Sequence, residues 1–134
     1  MTEALIDTDI LSFYFKGDVQ VVARLGDYLD MFDQVNLSII TYYEITAGLK
    51  FKNAVRQLHA FENFVNENTI INISEESARI SGSLYASLRQ KGVTIGTSDL
   101  LIAGIAIENG LTLITNNEKH YDAIQGLRVE NWKR

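Results

Sequence analysis

The chain has 134 residues, a net charge of −5 and no cysteine. This length fits a single domain spanning 1–134, and the lack of cysteine excludes disulfides and thiolate metal sites. The opening MTEALID lacks a secretory signal pattern, and no apolar run approaches the roughly 18 residues of a membrane span, so we expect a cytoplasmic protein. The acidic balance disfavours nucleic-acid binding through phosphate contacts alone, although bound divalent cations would reverse the charge locally.

The first half of the chain alternates short apolar runs with helical patterns. Ala4 to Ile6 is typical of a buried strand, and a helical turn should follow through Phe15 and stop at Gly17. From Asp18 onwards, apolar residues recur at the three- and four-residue spacing of a helix, which places on one face Val19, Val22, Leu25, Leu29 and Phe32. Further along we predict a strand over 35–37, helices over 38–52 and 53–66, and a strand over 69–73.

The second half continues the same alternation. Ser74 should cap a helix that carries acidic residues in its first turn and basic residues in its last, the order that the helix dipole favours. Thr97 or Ser98 should cap another helix, which is apolar nearly all round, and strands are predicted over 112–114 and 127–129. Strands that alternate with helices indicate an α/β fold, with a parallel sheet covered on both faces.

Polar residues follow two of these strands where the chain leaves the sheet. Asp7 ends the first strand, Asp9 lies two residues later, and Asn116 and Asn117 follow the strand over 112–114. In an open parallel sheet, ligands bind outside the carboxyl ends of the strands, so these residues predict the position of the site. Each also has a structural interpretation, because Asp7 is suited to a turn and paired asparagines are ordinary turn residues.

Two more acidic residues lie among apolar neighbours. Glu44 is about two turns into the helix after the second strand, and Asp99 opens the apolar helix. An ionised carboxylate in such surroundings is costly without compensation, and oxygen ligands favour Mg²⁺ or Mn²⁺. Glu44 could instead be a solvated face residue and Asp99 a simple helix cap. His120, close to the asparagine turn, either lines the rim of the site or is structural.

Three segments resemble one known family. They are LIDTDILS near the start, the pattern S-x-x-T-x-x-E-x-x-x-G from Ser38 to Gly48, and the stretch from Ile95 to Trp132 that contains GTSDLLIAG and TNN. Together they look like the PIN-domain toxins of VapBC toxin–antitoxin systems, and the likeness covers nearly the full chain. The resemblance implies a three-layer sandwich with about five parallel strands. It also implies a magnesium-dependent endoribonuclease toxin that a VapB-like antitoxin inhibits.

The resemblance also assigns roles to residues. Asp7, Glu44 and Asp99 match the catalytic, metal-binding acids of the family, with Mn²⁺ able to replace Mg²⁺. Asn117 falls where many members carry a fourth acid, and a neutral amide there can coordinate through its carbonyl oxygen but lowers the charge available to a second ion. The residues expected to fix the carboxylates by hydrogen bonds are Thr8, Thr115 and Asn116. A homodimer is implied as well, in which Lys16, Lys50, Lys52 and Arg56 would line a groove for the RNA phosphates.

Two alternatives remain at this stage. Asp7-Thr8-Asp9 after an apolar strand also resembles the opening of haloacid-dehalogenase-type phosphatases, in which Asp7 would be the nucleophile. That pattern expects threonine or valine two residues after the second aspartate, where this chain has Leu11. The second alternative is a catalytically weakened PIN domain that only binds a partner, which the neutral Asn117 would favour.

Overall fold

The structure, a computed structural model, describes all 134 residues as one parallel sheet between helices. Its elements are β1 (Ala4–Ile6), α1 (Thr8–Phe15), α2 (Val19–Met31), β2 (Asn36–Ser38), α3 (Ile39–Phe51), α4 (Val55–Asn66), β3 (Thr69–Ile71), α5 (Glu75–Gln90), α6 (Thr97–Glu108), β4 (Thr112–Ile114), α7 (Glu118–Tyr121) and β5 (Val129–Glu130). The strand order is β3-β2-β1-β4-β5, and every neighbouring pair is parallel. The predicted α/β class and five-stranded parallel sheet are confirmed.

Side chains of the central strand divide between two apolar cores. Ala4 and Ile6 of β1 pack with residues of α1 and α2, whereas Leu5 between them packs with residues of α6 on the other face. This alternation is what a strand buried on both faces requires, and it produces three layers. None of the seven helices combines the length and the apolarity that crossing a bilayer demands.

Local signals at the helix ends explain most of the boundaries. Asp18, Ser38 and Ser74 cap α2, α3 and α5, each accepting a hydrogen bond from a backbone N–H of the first turn. Gly17 and Gly92 follow α1 and α5 with φ angles of 79° and 78°, a conformation that favours glycine. The caps therefore act together with the apolar pattern to fix where each helix begins and ends.

The structure differs from the sequence-based prediction at several boundaries, and β2 and β3 are Asn36–Ser38 and Thr69–Ile71 where strands over 35–37 and 69–73 were predicted. The N-cap residue of α6 is Gly96, so no side chain caps this helix, and the predicted cap at Thr97 or Ser98 is wrong. The last strand is Val129–Glu130, displaced from the prediction of 127–129, because β4 pairs Leu113 with Val129. The four-residue helix α7 was not predicted, since such a short helix leaves no periodic pattern.

Helices α5 and α6 cross at very close range. A Cβ added at Gly104 of α6 would lie 2.6 Å from the backbone oxygen of Ser77 and would also overlap Ser81 Oγ. The Ser81 hydroxyl in turn donates a 2.7 Å hydrogen bond to the carbonyl oxygen of Leu100. The small residue at position 104 therefore lets α5 pack directly against the helix that carries Asp99.

Candidate metal centre

Asp7 leaves the sheet at the carboxyl end of β1 and caps α1. Its Oδ1 accepts a 2.8 Å hydrogen bond from the backbone N–H of Thr8, and only 6% of the residue is exposed. Burial, reinforced by the negative charge of Asp9, raises the pKa of Asp7 to about 7. No lysine or arginine forms an ion pair with it, so the carboxylate is buried without a cationic partner.

Asp99 lies in the first turn of α6 and approaches Asp7 through a shared neighbour. The Tyr121 hydroxyl donates a 3.0 Å hydrogen bond to Asp99 Oδ1, and it lies 3.5 Å from Asp7 Oδ2. The negative charge of Asp99 also contributes to the raised pKa of Asp7. On its other oxygen, Oδ2, Asp99 has His120 Nε2 at 3.0 Å. The structure thus brings together two acids that are far apart in the sequence.

Glu44 reaches this region through a threonine. The Thr8 hydroxyl donates a 2.6 Å hydrogen bond to Glu44 Oε1 and lies 3.0 Å from the Thr41 hydroxyl. Thr8 directly follows Asp7, so the same turn of backbone carries both Asp7 and the group that orients Glu44. Glu44 is half-buried, which does not fit the interpretation of a freely solvated face residue.

The turn after β4 supplies the remaining predicted residues. Thr115 is fully buried, and its hydroxyl accepts a 3.1 Å hydrogen bond from the Asn117 N–H and lies 3.4 Å from Asp9 Oδ2. The backbone N–H of Asn116 donates to the same Asp9 oxygen at 3.0 Å. The side chain of Asn117 is exposed and forms no hydrogen bond. Thr115 and Asn116 therefore hold Asp9, while Asn117 is free to turn towards a ligand.

Sequence reasoning placed Asp9 near the site but gave it no role, and it missed Tyr121. Burial raises the pKa of Asp9, although hydrogen bonds from Asn116 and Ile10 oppose this effect. Its place two residues after Asp7 was a usable signal, because both follow β1 directly. Tyr121 offered only an aromatic residue shortly after the asparagine turn. His120, which the sequence left between a place at the rim and a structural role, contacts Asp99 with a partly exposed side chain.

The side chains present suit a hard divalent cation by their chemistry. Asp7, Asp99 and Glu44 offer oxygen atoms only, and the first of them lacks a counter-charge in the protein. No group of three or more acidic or histidine side chains is already gathered at ligand distances from one point. A cation would therefore draw the carboxylates closer, and Asp7 and Asp99 already lie on either side of the Tyr121 hydroxyl.

Comparison with known proteins extends over nearly the whole chain. The PIN domain family model matches residues 4–125. The tRNA(fMet)-specific endonuclease VapC of Salmonella typhimurium is 33% identical over 133 residues, covering 98% of this chain and 99% of that protein. Ribonuclease VapC2 of Rickettsia felis is 36% identical over 131 residues, covering 97% and 98% respectively.

Solved structures agree with this relationship. VapBC2 from Rickettsia felis, bound to a DNA fragment from its promoter, matches with a TM-score of 0.87 at 30% identity, covering 96% of this chain and 98% of that one. DNA-bound VapBC from Salmonella typhimurium also matches with a TM-score of 0.87, at 28% identity, covering 98% of this chain and 99% of that one. These matches exclude the alternative of a haloacid-dehalogenase-type phosphatase. This chain is a PIN domain and belongs to the VapC family of ribonucleases.

Proposed function

We propose that this chain is a magnesium-dependent endoribonuclease and the toxin of a type II toxin–antitoxin pair. The observation that carries the metal dependence is the buried carboxylate of Asp7, which shares the Tyr121 hydroxyl with Asp99 and has no cationic partner. The ribonuclease activity follows the relatives, which are named as ribonucleases or endonucleases. RNA is accordingly the proposed substrate.

Asp7 and Asp99 would hold the principal ion, with Mn²⁺ able to replace Mg²⁺. Glu44 would bind it through water or orient the attacking water, and Asn117 could add a carbonyl oxygen. When bound, the ion supplies Lewis acidity, which makes water a better nucleophile and offsets negative charge on the phosphate. In-line attack of water on phosphorus breaks the bond to the 3′ oxygen, so the products carry a 5′-phosphate and a 3′-hydroxyl.

The residues around the acids prepare them for this role. Thr8 holds Glu44 by its hydroxyl, and its own backbone N–H holds Asp7. Thr115 and the backbone N–H of Asn116 contact Asp9, which keeps a third carboxylate close to the first. Such supporting hydrogen bonds fix the direction of ligand oxygens before an ion arrives.

A VapB-like antitoxin would dock beside this site. A cavity of about 450 cubic ångströms between α1, α3 and α4 is lined by Phe15, Leu49 and Phe61, and it also reaches Thr8 and Glu44. An amphipathic helix suits such an apolar groove, and an arginine on it could compete with the cation for the acids, because its planar fork bonds carboxylates in pairs. The matched solved structures include VapBC complexes.

The proposed RNA path explains how an acidic protein can bind a polyanion. Lys16 and Lys52 line the same cavity, and Lys50 and Arg56 are exposed near them in sequence. In a homodimer these side chains would line a shared groove and contact phosphates. Sedimentation at micromolar concentration tests the dimer, and a monomer there would contradict it. Replacing Lys50 and Lys52 with glutamate should slow cleavage and weaken its salt dependence.

One experiment decides between an enzyme and a binding module. The purified, antitoxin-free chain is incubated with RNA and Mg²⁺, alongside Asp7→Asn and Asp99→Asn. We expect cleavage by the wild type that chelation stops, and none by the folded variants. A wild-type chain that folds and binds antitoxin but never cleaves RNA would support the weakened, partner-binding alternative instead.

A further inference from the structure

Tyr121, at the end of α7, is the one side chain with polar contacts to both Asp7 and Asp99. Its hydroxyl oxygen lies 3.0 Å from Asp99 Oδ1 and 3.5 Å from Asp7 Oδ2. Only 2% of the residue is exposed, and its ring packs in the core that α6 shares with the sheet. The hydroxyl is therefore held at a fixed place between two carboxylates that are far apart in the sequence.

Packing alone does not account for a tyrosine at this position. A phenylalanine would fill the same space without placing a hydroxyl in a buried region, where a polar group is favourable only when it is hydrogen-bonded. A hydroxyl carries one proton and can donate to one carboxylate at a time. The shorter distance assigns that donation to Asp99 Oδ1. The hydroxyl thus fixes one oxygen of Asp99 and leaves Oδ2 for another partner.

We propose that Tyr121 is a positioning residue of the cation site, whose hydroxyl orients Asp99 and keeps its carboxylate beside that of Asp7. This inference rests on the proposed metal dependence. Asp7 is held on Oδ1 by the Thr8 N–H, and Asp99 is held on Oδ1 by Tyr121. Each acid therefore has one oxygen fixed within the protein, and an arriving cation meets two carboxylates that are already paired.

His120 provides a contrast within the same short helix. Its Nε2 lies 3.0 Å from Asp99 Oδ2, the oxygen that Tyr121 leaves unused, and its side chain is 38% exposed. It forms no hydrogen bond or ion pair with Asp7. A cation that binds Asp99 Oδ2 has to share this oxygen with the His120 imidazole or displace the imidazole from it. Removing His120 should therefore leave cation affinity unchanged or increase it, whereas removing the Tyr121 hydroxyl should lower it.

The test is Mn²⁺ binding by calorimetry to the purified, metal-free chain. Tyr121→Phe keeps the ring and should lower the affinity about 10-fold or more, the usual effect of removing a group that orients a ligand. His120→Ala should not lower it. Matched controls are Tyr85→Phe and His59→Ala, which remove the same groups from exposed positions on α5 and α4 and should bind as the wild type does. Circular dichroism confirms that each variant is folded.

A second measurement leaves Tyr121 in place. Fluorotyrosine introduced at position 121 retains the ring and the hydroxyl, and its ¹⁹F resonance should shift when Mg²⁺ is added. Equal Mn²⁺ affinity in Tyr121→Phe and the wild type, or an unshifted resonance at saturating Mg²⁺, would overturn the positioning role. A wild-type chain that binds neither ion would instead contradict the proposed metal dependence itself.

Discussion

The Thr8 hydroxyl donates a 2.6 Å hydrogen bond to Glu44 Oε1, which ties the first residue of α1 to the second turn of α3. Thr8→Val removes this donor and keeps the shape of the side chain, so Glu44 should lose its fixed orientation. We expect RNA cleavage to fall about 10-fold or more, as for other groups that orient a ligand. Thr8→Ser retains a hydroxyl and should keep most of the activity. Undiminished cleavage by Thr8→Val would show that Glu44 does not depend on this bond.

Asp7 should make the metal-free protein less stable as the pH rises. Its pKa is about 7 in the folded chain, largely because of burial, and near 3.8 without the fold. Between these values Asp7 binds more protons in the folded state than in the unfolded state, so its contribution to stability is most favourable below about pH 4, falls as the pH rises to about 7 and is constant above that. The full difference corresponds to at most about 4 kcal/mol.

Thermal unfolding of Asp7→Asn tests this sign. At pH 8, without metal, the variant should melt at a higher temperature than the wild type, and the gap should shrink towards pH 5. Adding Mg²⁺ at pH 8 should stabilise the wild type, because the ion binds the native state, and should have less effect on the variant. A gap that widens at low pH would contradict the raised pKa.

Asn117 offers a direct way to strengthen the site. Its side chain is exposed and makes no hydrogen bond, so a change there disturbs little of the surrounding structure. Asn117→Asp adds a negative charge next to the acids and should tighten Mn²⁺ binding, measured by calorimetric titration. Asn116→Asp, one residue earlier in the same turn, is the matched comparison for charge alone. Unchanged affinity in Asn117→Asp would place residue 117 outside the coordination sphere.

Two glycines on the packed pair α5 and α6 should respond oppositely to alanine. At Gly104 a methyl group would meet Ser77 backbone and Ser81, and overpacking of this kind costs about 1–3 kcal/mol. At Gly82 no atom lies within 4 Å of an added Cβ, so Gly82→Ala should stabilise the helix by about 0.5–1 kcal/mol. Urea denaturation of both variants measures the difference. Equal stabilities would mean that the helices can separate without cost.

The fold was predictable because its signals are local. Apolar runs marked the strands, and Ser38 and Ser74 marked helix starts that the structure retains. Periodicity found α2 but did not reveal its buried face: Val19 and Val22 are exposed, and Val21 is buried. Neighbouring elements decide which face of a helix packs inwards, so tertiary structure is needed for that assignment.

The position of the candidate site could be predicted from the sequence more fully than the side chains that compose it. The rule that parallel sheets bind ligands at the carboxyl ends of their strands pointed to Asp7 and to the turn after β4. The rule could not reveal the role of the Tyr121 hydroxyl. The helix α7 is too short to show periodicity, and a single tyrosine in a sequence is usually interpreted as a packing residue. The link from Asp7 through Tyr121 to Asp99 exists only once the sheet and α6 are assembled.

The strand order has a consequence for the synthesis of the protein. The central strand β1 pairs with β4, and Asp7 meets Tyr121 across 114 positions of sequence. A ribosome has to translate nearly the whole domain before the acids of the site can face one another, and contacts so distant in sequence form late in folding. A nascent chain that ends before Tyr121 therefore lacks the contact that links Asp7 to Asp99, so a product truncated there should not cleave RNA.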